Sequence, residues 1–294
     1  MPSLKETRTR ITSVNSTMQI TSAMKMVSAA KLKKAQDKIT QMRPYASKLE
    51  EMLSHLAGTM ADMENPLVVD RPVKRVLLIP INSNRGLCGA FNANVIKGVT
   101  KLIENDYSDA QVTLFPFGKK AYDWFKKSEW MYAGGSLGNP ENNAQIYDDL
   151  SYENAASRFE PIMDAFAAGE FDEVVVVYNR FKNAATQITT VEKVLPVSPM
   201  EEEDASHEVD YIFQPDQEEL LADLIPSALK TSFYKALLDS NASEHGARMT
   251  AMHKATDNAS DMLSELKLTY NKARQAAITT EILEIVGGAE ALKG

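Results

Sequence analysis

The sequence predicts an α/β protein whose two ends form a long antiparallel coiled coil and whose middle forms an open, doubly wound sheet. Three observations carry this. A seam of apolar residues at alternating steps of three and four runs from Leu32 to Leu56. A second such seam lies near the end of the chain. Between them, short apolar runs alternate with helix-like segments. The 294 residues divide accordingly into a first helix over 1–57, a central domain over 70–200 and a last helical segment over 213–294.

The first element is read as one helix from residue 3 to about 57. Its seam is Leu32, Ala35, Ile39, Met42, Ala46, Leu49, Leu53 and Leu56. Pro44 falls inside it and is expected to bend the rod locally, but the steps continue past it. At about 1.5 Å per residue such a rod is roughly 80 Å long. The stretch Ile20–Lys31, ITSAMKMVSAAK, breaks the pattern. Small or apolar residues fall nearly all round it, and Met24 and Met26 sit about 200° apart on a helical wheel. A two-helix coil turns one face to water, so this segment is expected to be enclosed by something beyond the pair. Packing against the chain's own central domain is the alternative.

In the middle, VKRVLLIPI (73–81) has the continuous apolar character of a buried parallel strand. Helix-like FNANVIKGVTKLIEN follows, then the strand QVTLFPF (111–117). Next come KKAYDWFKKS, a Gly-rich loop and the helix YENAASRFEPIMDAFAAG. FDEVVVVYNRF (171–181) and TQITTVEKVLPV (186–197) supply two more strands. The alternation predicts a Rossmann-like open sheet. Glu201–Asp204 reads as an acidic surface loop.

The last helix is expected to start at Ser227, after Pro226, and to stop at Val286, before Gly287-Gly288. Its seam is read as Met252, Ala255, Ala259, Met262, Leu266, Tyr270, Ala273 and Ala277. The alanines let a partner helix approach closely. Beyond them, AITTEILEIVGGAEAL (277–292) has apolar residues on several sides.

Signals for chemistry are few. No G-x-x-x-x-G-K-[ST] is present, and no G-x-G-x-x-G follows a strand, so the sheet lacks a nucleotide-binding loop. INSNRGLCGAFN (81–92) lies at the carboxyl end of the first strand, where α/β sheets bind ligands. Cys88 there is a candidate nucleophile with Arg85 lowering its pKa, though no partner base is identifiable. The other reading is a turn shaped by glycine that caps the next helix and faces a partner. His253 and Asp257, four apart on a helix, would need a third ligand to hold a metal and read as an ordinary exposed pair. No metal or cofactor is expected.

Charge is uneven. Residues 1–56 hold ten Lys/Arg and four Asp/Glu, so they carry +6, and the total of −8 leaves −14 for the remainder. A basic rod on an acidic body fits an acidic partner, either protein or nucleic acid, or a helix kept soluble by lysine. No apolar run is long enough to span a membrane, and the first residues lack the apolar core of a signal peptide. One cysteine excludes an internal disulfide, and the chain is expected in a reducing cytoplasm.

Three stretches carry a family resemblance: RTRITSVNSTMQITSAMKMVSAAKLKKAQ, SNRGLCGAFN, and ARMTAMHKATDNASDMLSELKLTYNKARQAAITTEILEIVGGAEAL. Together they resemble the gamma subunits of the F-type ATP synthase, in the same order and over nearly the full length. The resemblance implies a non-catalytic rotor shaft that couples proton-driven rotation of a c-ring to ATP synthesis or hydrolysis on beta. The implied partners are the alpha and beta subunits, epsilon and the ring of c subunits, with one copy per complex and no nucleic acid. It implies that Met24, Lys25 and Cys88 lie near an acidic lever of beta. Arg274 and Gln275 would catch a beta loop, and the tail with Ile282 and Ile285 would turn in an apolar sleeve. Asp210 and Tyr211 would form the foot above the c-ring. Asn84 stands where the family often has Asp, and no paired-cysteine insert interrupts 195–215. The resemblance therefore points to a bacterial protein, peripheral on the cytoplasmic side of the inner membrane. A coiled-coil scaffold for nucleic acid or an acidic partner remains the alternative, as does a free enzyme using Cys88.

Overall fold

A computed structural model describes residues 4–55, 65–69, 71–197 and 217–291 of the chain. Their order is α1 (Leu4–His55), β1 (Arg75–Pro80), α2 (Phe91–Lys101), β2 (Gln111–Leu114), α3 (Lys119–Phe125), α4 (Tyr152–Ala167), β3 (Glu173–Phe181), β4 (Gln187–Leu195) and α5 (Gln217–Ala291). A short 3-10 helix, Pro140–Tyr147, precedes α4. These elements form two compact units, one from Met1–Ser28 with Met249–Gly294 and the other from Ala29–Arg248.

The larger unit is built on a four-stranded sheet in the order β2-β1-β3-β4. β1 pairs in parallel with both β2 and β3, while β4 returns antiparallel on β3. The last pairing follows from the five residues between β3 and β4, which are too few for a crossover. The two central strands, β1 and β3, are buried on both faces, as a continuous Val/Ile/Leu run demands. On one face Val76, Leu78, Val175 and Val177 meet Val95 and Val99 of α2 and Phe125 of α3. In α5, Phe233 stacks on Phe159 of α4 at 4.7 Å between ring centroids and meets Phe117 edge-on at 5.0 Å.

The smaller unit is the coil. The Thr21 and Thr256 hydroxyls meet at 2.9 Å, and Lys25 Nζ lies 3.3 Å from His253 Nδ1. As the number falls on one helix it rises on the other, so the pair is antiparallel. The buried and half-buried positions of α1 here are Leu4, Thr7, Ile11, Val14, Met18, Thr21, Lys25 and Ser28, with Ser22 and Met24 beside them. In the larger unit the same rhythm continues through Leu32, Ala35, Ile39, Met42, Ala46 and Leu49. The segment without an evident polar face therefore does have a seam. It is hard to see in the sequence because half of its members are Thr, Lys and Ser.

Two expected helix boundaries are corrected. α5 starts at Gln217 and runs through Pro226. Leu221 and Ile225 upstream of that proline are fully buried, and this burial outweighs the hydrogen bond that proline cannot donate. Gly287-Gly288 does not end the helix, which continues to Ala291. Neither glycine has the positive φ of a helix stop. The α5 seam also shifts by one: Leu263 is 6% exposed and Met262 45%. With half-buried Thr256 in place of Ala255, the positions Met252, Thr256, Ala259, Leu263 and Leu266 alternate by four and three.

Candidate functional site

β1 feeds β2 on one side, and β3 lies on the other, so the topological switch point falls at the carboxyl ends of β1 and β3. Open α/β sheets bind nucleotides in this crevice. Here it is filled by α5. Ser240 Oγ reaches the carbonyl of Ile81, just past β1, at 3.5 Å. Gly246 sits against the turn after β3: a Cβ there would lie 3.2 Å from Ala184 Cα and 3.4 Å from the Phe181 ring. A side chain there would make the turn or the helix give by a few tenths of an ångström. Ala247 completes the contact by closing a buried cluster with Cys88 and Phe91.

The loop after β1 is tied down from both sides. Asn92 Oδ1 accepts from the Ser83 backbone N–H at 3.1 Å, and its Nδ2 donates to Ser83 Oγ at 2.9 Å and Cys88 Sγ at 3.2 Å. Ser83 Oγ donates to the Arg85 carbonyl at 2.6 Å. From α5, Arg248 donates to the carbonyls of Arg85 and Gly86 at 3.1 and 3.3 Å and pairs with Glu244 at 2.7 Å. Both members of that ion pair are buried. Burial raises the Glu244 pKa, and Arg248 is the largest opposing influence. His245, next to them, is pushed down to about 4 by burial and by the cations Arg248 and Lys31. Sequence reasoning assigned Arg248 no role; the structure makes it the clamp between loop and helix.

Cys88 is 2% exposed, and burial raises its pKa more than Ser83 or Arg248 lowers it. The thiol is held neutral and enclosed, contrary to the nucleophile reading. What the loop offers outward is Arg85 and Leu87, which is 64% exposed at a φ of 62°.

On the coil, Met24 is half-buried beside the seam, and Lys25 is in it, bonded to His253. Ile20, Met26 and Val27 are the large apolar side chains that face outward there. His253 also lies 3.4 Å from Asp257, and among the described residues no three His, Cys, Asp or Glu side chains are grouped to hold a metal. Arg274 and Gln275 are exposed. The pairs 21 with 256 and 25 with 253 set Leu4 opposite about residue 273. Past that point every side chain described on α5 is exposed, including Ile278, Ile282, Leu283, Ile285 and Val286. Asp210 and Tyr211 lie outside the described residues, as does Glu201–Asp204.

A family model described as ATP synthase matches residues 3–292. The chain is 56% identical over 295 residues to an ATP synthase gamma chain of Flavobacterium psychrophilum, with 100% of both chains covered. It is 43% identical to the ATP synthase gamma chain of a Geobacter species, again with 100% of both covered. Among solved structures, the central stalk and c-ring of the Tetrahymena thermophila mitochondrial ATP synthase aligns at 25% identity and a TM-score of 0.58, covering 80% of this chain and 99% of that one. A chain of the Euglena gracilis mitochondrial enzyme aligns at 23% identity and a TM-score of 0.68, covering 98% of this chain and 94% of that one, and speaks for the fold alone.

Proposed function

The chain belongs to the ATP synthase gamma-chain family, and we propose that its coil and exposed tail are the bearing surfaces on which the rotary cycle of that complex acts. The protein is a non-catalytic stalk subunit of the ATP synthase. The observation that carries the proposal is the combination of a filled crevice with a bare tail. α5 occupies the crevice where the fold would bind a nucleotide, while its end past residue 273 carries five large apolar side chains into solvent. A helix bearing such a surface is completed by a partner.

In this reading residues 1–57 and 213–294 form the coil and 70–200 the body. The alpha and beta subunits enclose the coil, and epsilon and the c-ring hold the body, with one copy of the chain per complex. Proton flow turns the ring, and each angle of an asymmetric shaft favours one conformation of each catalytic subunit. Met24, Lys25 and the Cys88 loop face the acidic lever of beta. Arg274 and Gln275 catch a loop of beta, and an arginine fork suits a transient carboxylate. Ile282 and Ile285 turn in the sleeve, and Asp210 and Tyr211 stand over the c-ring. No described helix is long and apolar enough to cross a membrane. The chain is held through the complex at the cytoplasmic face of a bacterial inner membrane.

Reconstitution tests this. Mixed with the alpha and beta subunits of the same cell, the chain is expected to give one-copy complexes with ATPase activity that neither subunit shows without it. Arg274→Ala is expected to slow turnover of the assembled complex several-fold with no change in melting temperature. Failure of alpha and beta to retain the chain would sink the reading.

A further inference from the structure

We propose that Lys38 is a positioning residue that keys α1 to the sheet domain, so that this helix turns when the body turns. The proposal rests on the stalk reading, which requires a turn of the body to reach the coil.

Lys31, Lys33 and Lys34 are exposed, as helix lysines usually are. Lys38 is half-buried, and its Nζ donates to the carbonyl of Leu150 at 2.8 Å, across 112 positions of the chain. The receiving end is firmly held. Leu150 directly precedes Ser151, the N-cap of α4, whose hydroxyl accepts from the Asn154 backbone N–H at 3.4 Å. Asn154 Nδ2 donates back to the Asp149 carbonyl at 2.8 Å. The Tyr234 hydroxyl of α5 reaches the same Leu150 carbonyl at 3.5 Å, and the ring of Tyr152 meets that of Tyr234 edge-on at 5.9 Å. Helices α1 and α5 therefore meet the start of α4 at one oxygen atom.

The body grips α5 at several further points. Lys230 pairs with Glu160 of α4 at 2.6 Å, Ser232 Oγ donates to Glu192 of β4 at 3.0 Å, and Arg248 holds the Arg85 carbonyl at 3.1 Å. For α1 the packing does less. Its seam at this level leaves a cavity of about 50 Å³ between Ile39, Met42 and Ala46 on one side and Leu238 of α5 on the other. Burial of apolar surface is non-directional, so a seam with a gap in it resists separation better than it resists slip or rotation. Pro44, six residues past Lys38, cannot donate the helix hydrogen bond to the Thr40 carbonyl, so α1 is weakened beyond the tie. Lys38 lies on the coil side of that proline. A cationic donor on a carbonyl is short and directional. It supplies the register that the seam leaves loose.

The test uses the assembled complex, with the alpha and beta ring fixed to a surface and a bead attached to the sheet domain through Lys127→Cys. Lys127 is exposed and the native Cys88 is buried, so the label goes to the new thiol. With the ring halted in one nucleotide-bound pause, the angular variance of the bead reads the twist between ring and body. Lys38→Met keeps the stem and removes the donor. It is expected to raise the variance about twofold, since one of two load-bearing helices is released from the body. Lys38→Arg keeps a cationic donor and is expected to stay near the unchanged chain. Ile39→Val alters the neighbouring seam position and is expected to lower the melting temperature without moving the variance. An unchanged variance in Lys38→Met, or an equal rise in Lys38→Arg or Ile39→Val, overturns the proposal. So does failure of Lys38→Met to assemble, which would make Lys38 a folding residue. Assembly of the unchanged chain with alpha and beta reads the stalk function separately.

Discussion

Arg248 makes more contacts through one side chain than any other cation of α5 whose bonds are described. It caps two loop carbonyls, neutralises Glu244 and borders His245. Arg248→Ala would leave a buried carboxylate unpaired and is expected to cost about 3–5 kcal/mol in urea unfolding. His245 gives the same cluster a pH signature. Its folded pKa of about 4 lies below the ordinary value of 6.5. The unfolded chain therefore takes up this proton before the folded chain does. The stabilising effect is present above pH 6.5 and is lost as pH falls through about 4. His245→Gln is expected to remove on the order of 1–2 kcal/mol of the acid loss in that window, read as a flatter plot of stability against pH. None of this cluster was legible in the sequence. HGARM reads as one more stretch of helix, and only the return of α5 to the end of β1 shows what the arginine holds.

At the level of elements, the sequence was most informative where a single periodicity ruled. Val76–Ile79 and Val174–Val177 are apolar throughout, and both are strands buried on both faces. The seam from Leu32 to Leu49 was readable because its members are apolar. The continuation through Thr21, Lys25 and Ser28 was not, since these residues look solvent-facing until their partners on α5 are known. Proline and glycine misled for a related reason. They disfavour a helix locally, and Pro226 is overridden by the burial of Leu221 and Ile225. The shifted seam is directly testable. Leu263→Ala is expected to cost about 2–3 kcal/mol, and Met262→Ala less than about 0.5, in thermal melts of the chain. Equal costs would put the sequence-derived seam back in place.

For the whole molecule, the site was legible as motif and not as geometry. Arg274, Gln275, Ile282 and Ile285 are exposed. Cys88 is not, because the loop turns its thiol inward and Leu87 outward. Five large apolar side chains on an uncovered helix are also a liability for the isolated chain. Replacing Ile282 and Ile285 by Ser is expected to reduce concentration-dependent self-association in sedimentation without altering the melting temperature, since neither side chain is buried. Association unchanged by both substitutions would assign it to another surface.

The coil seam over Leu4–Ser28 repeats every three and a half residues rather than every 3.6. Two helices that keep such a stripe in contact wind round one another to the left. A two-stranded rope laid in one sense answers a wrench unequally: turned with the lay its strands bite together, turned against it they ease apart. The coil accordingly has a stiff direction and a soft one.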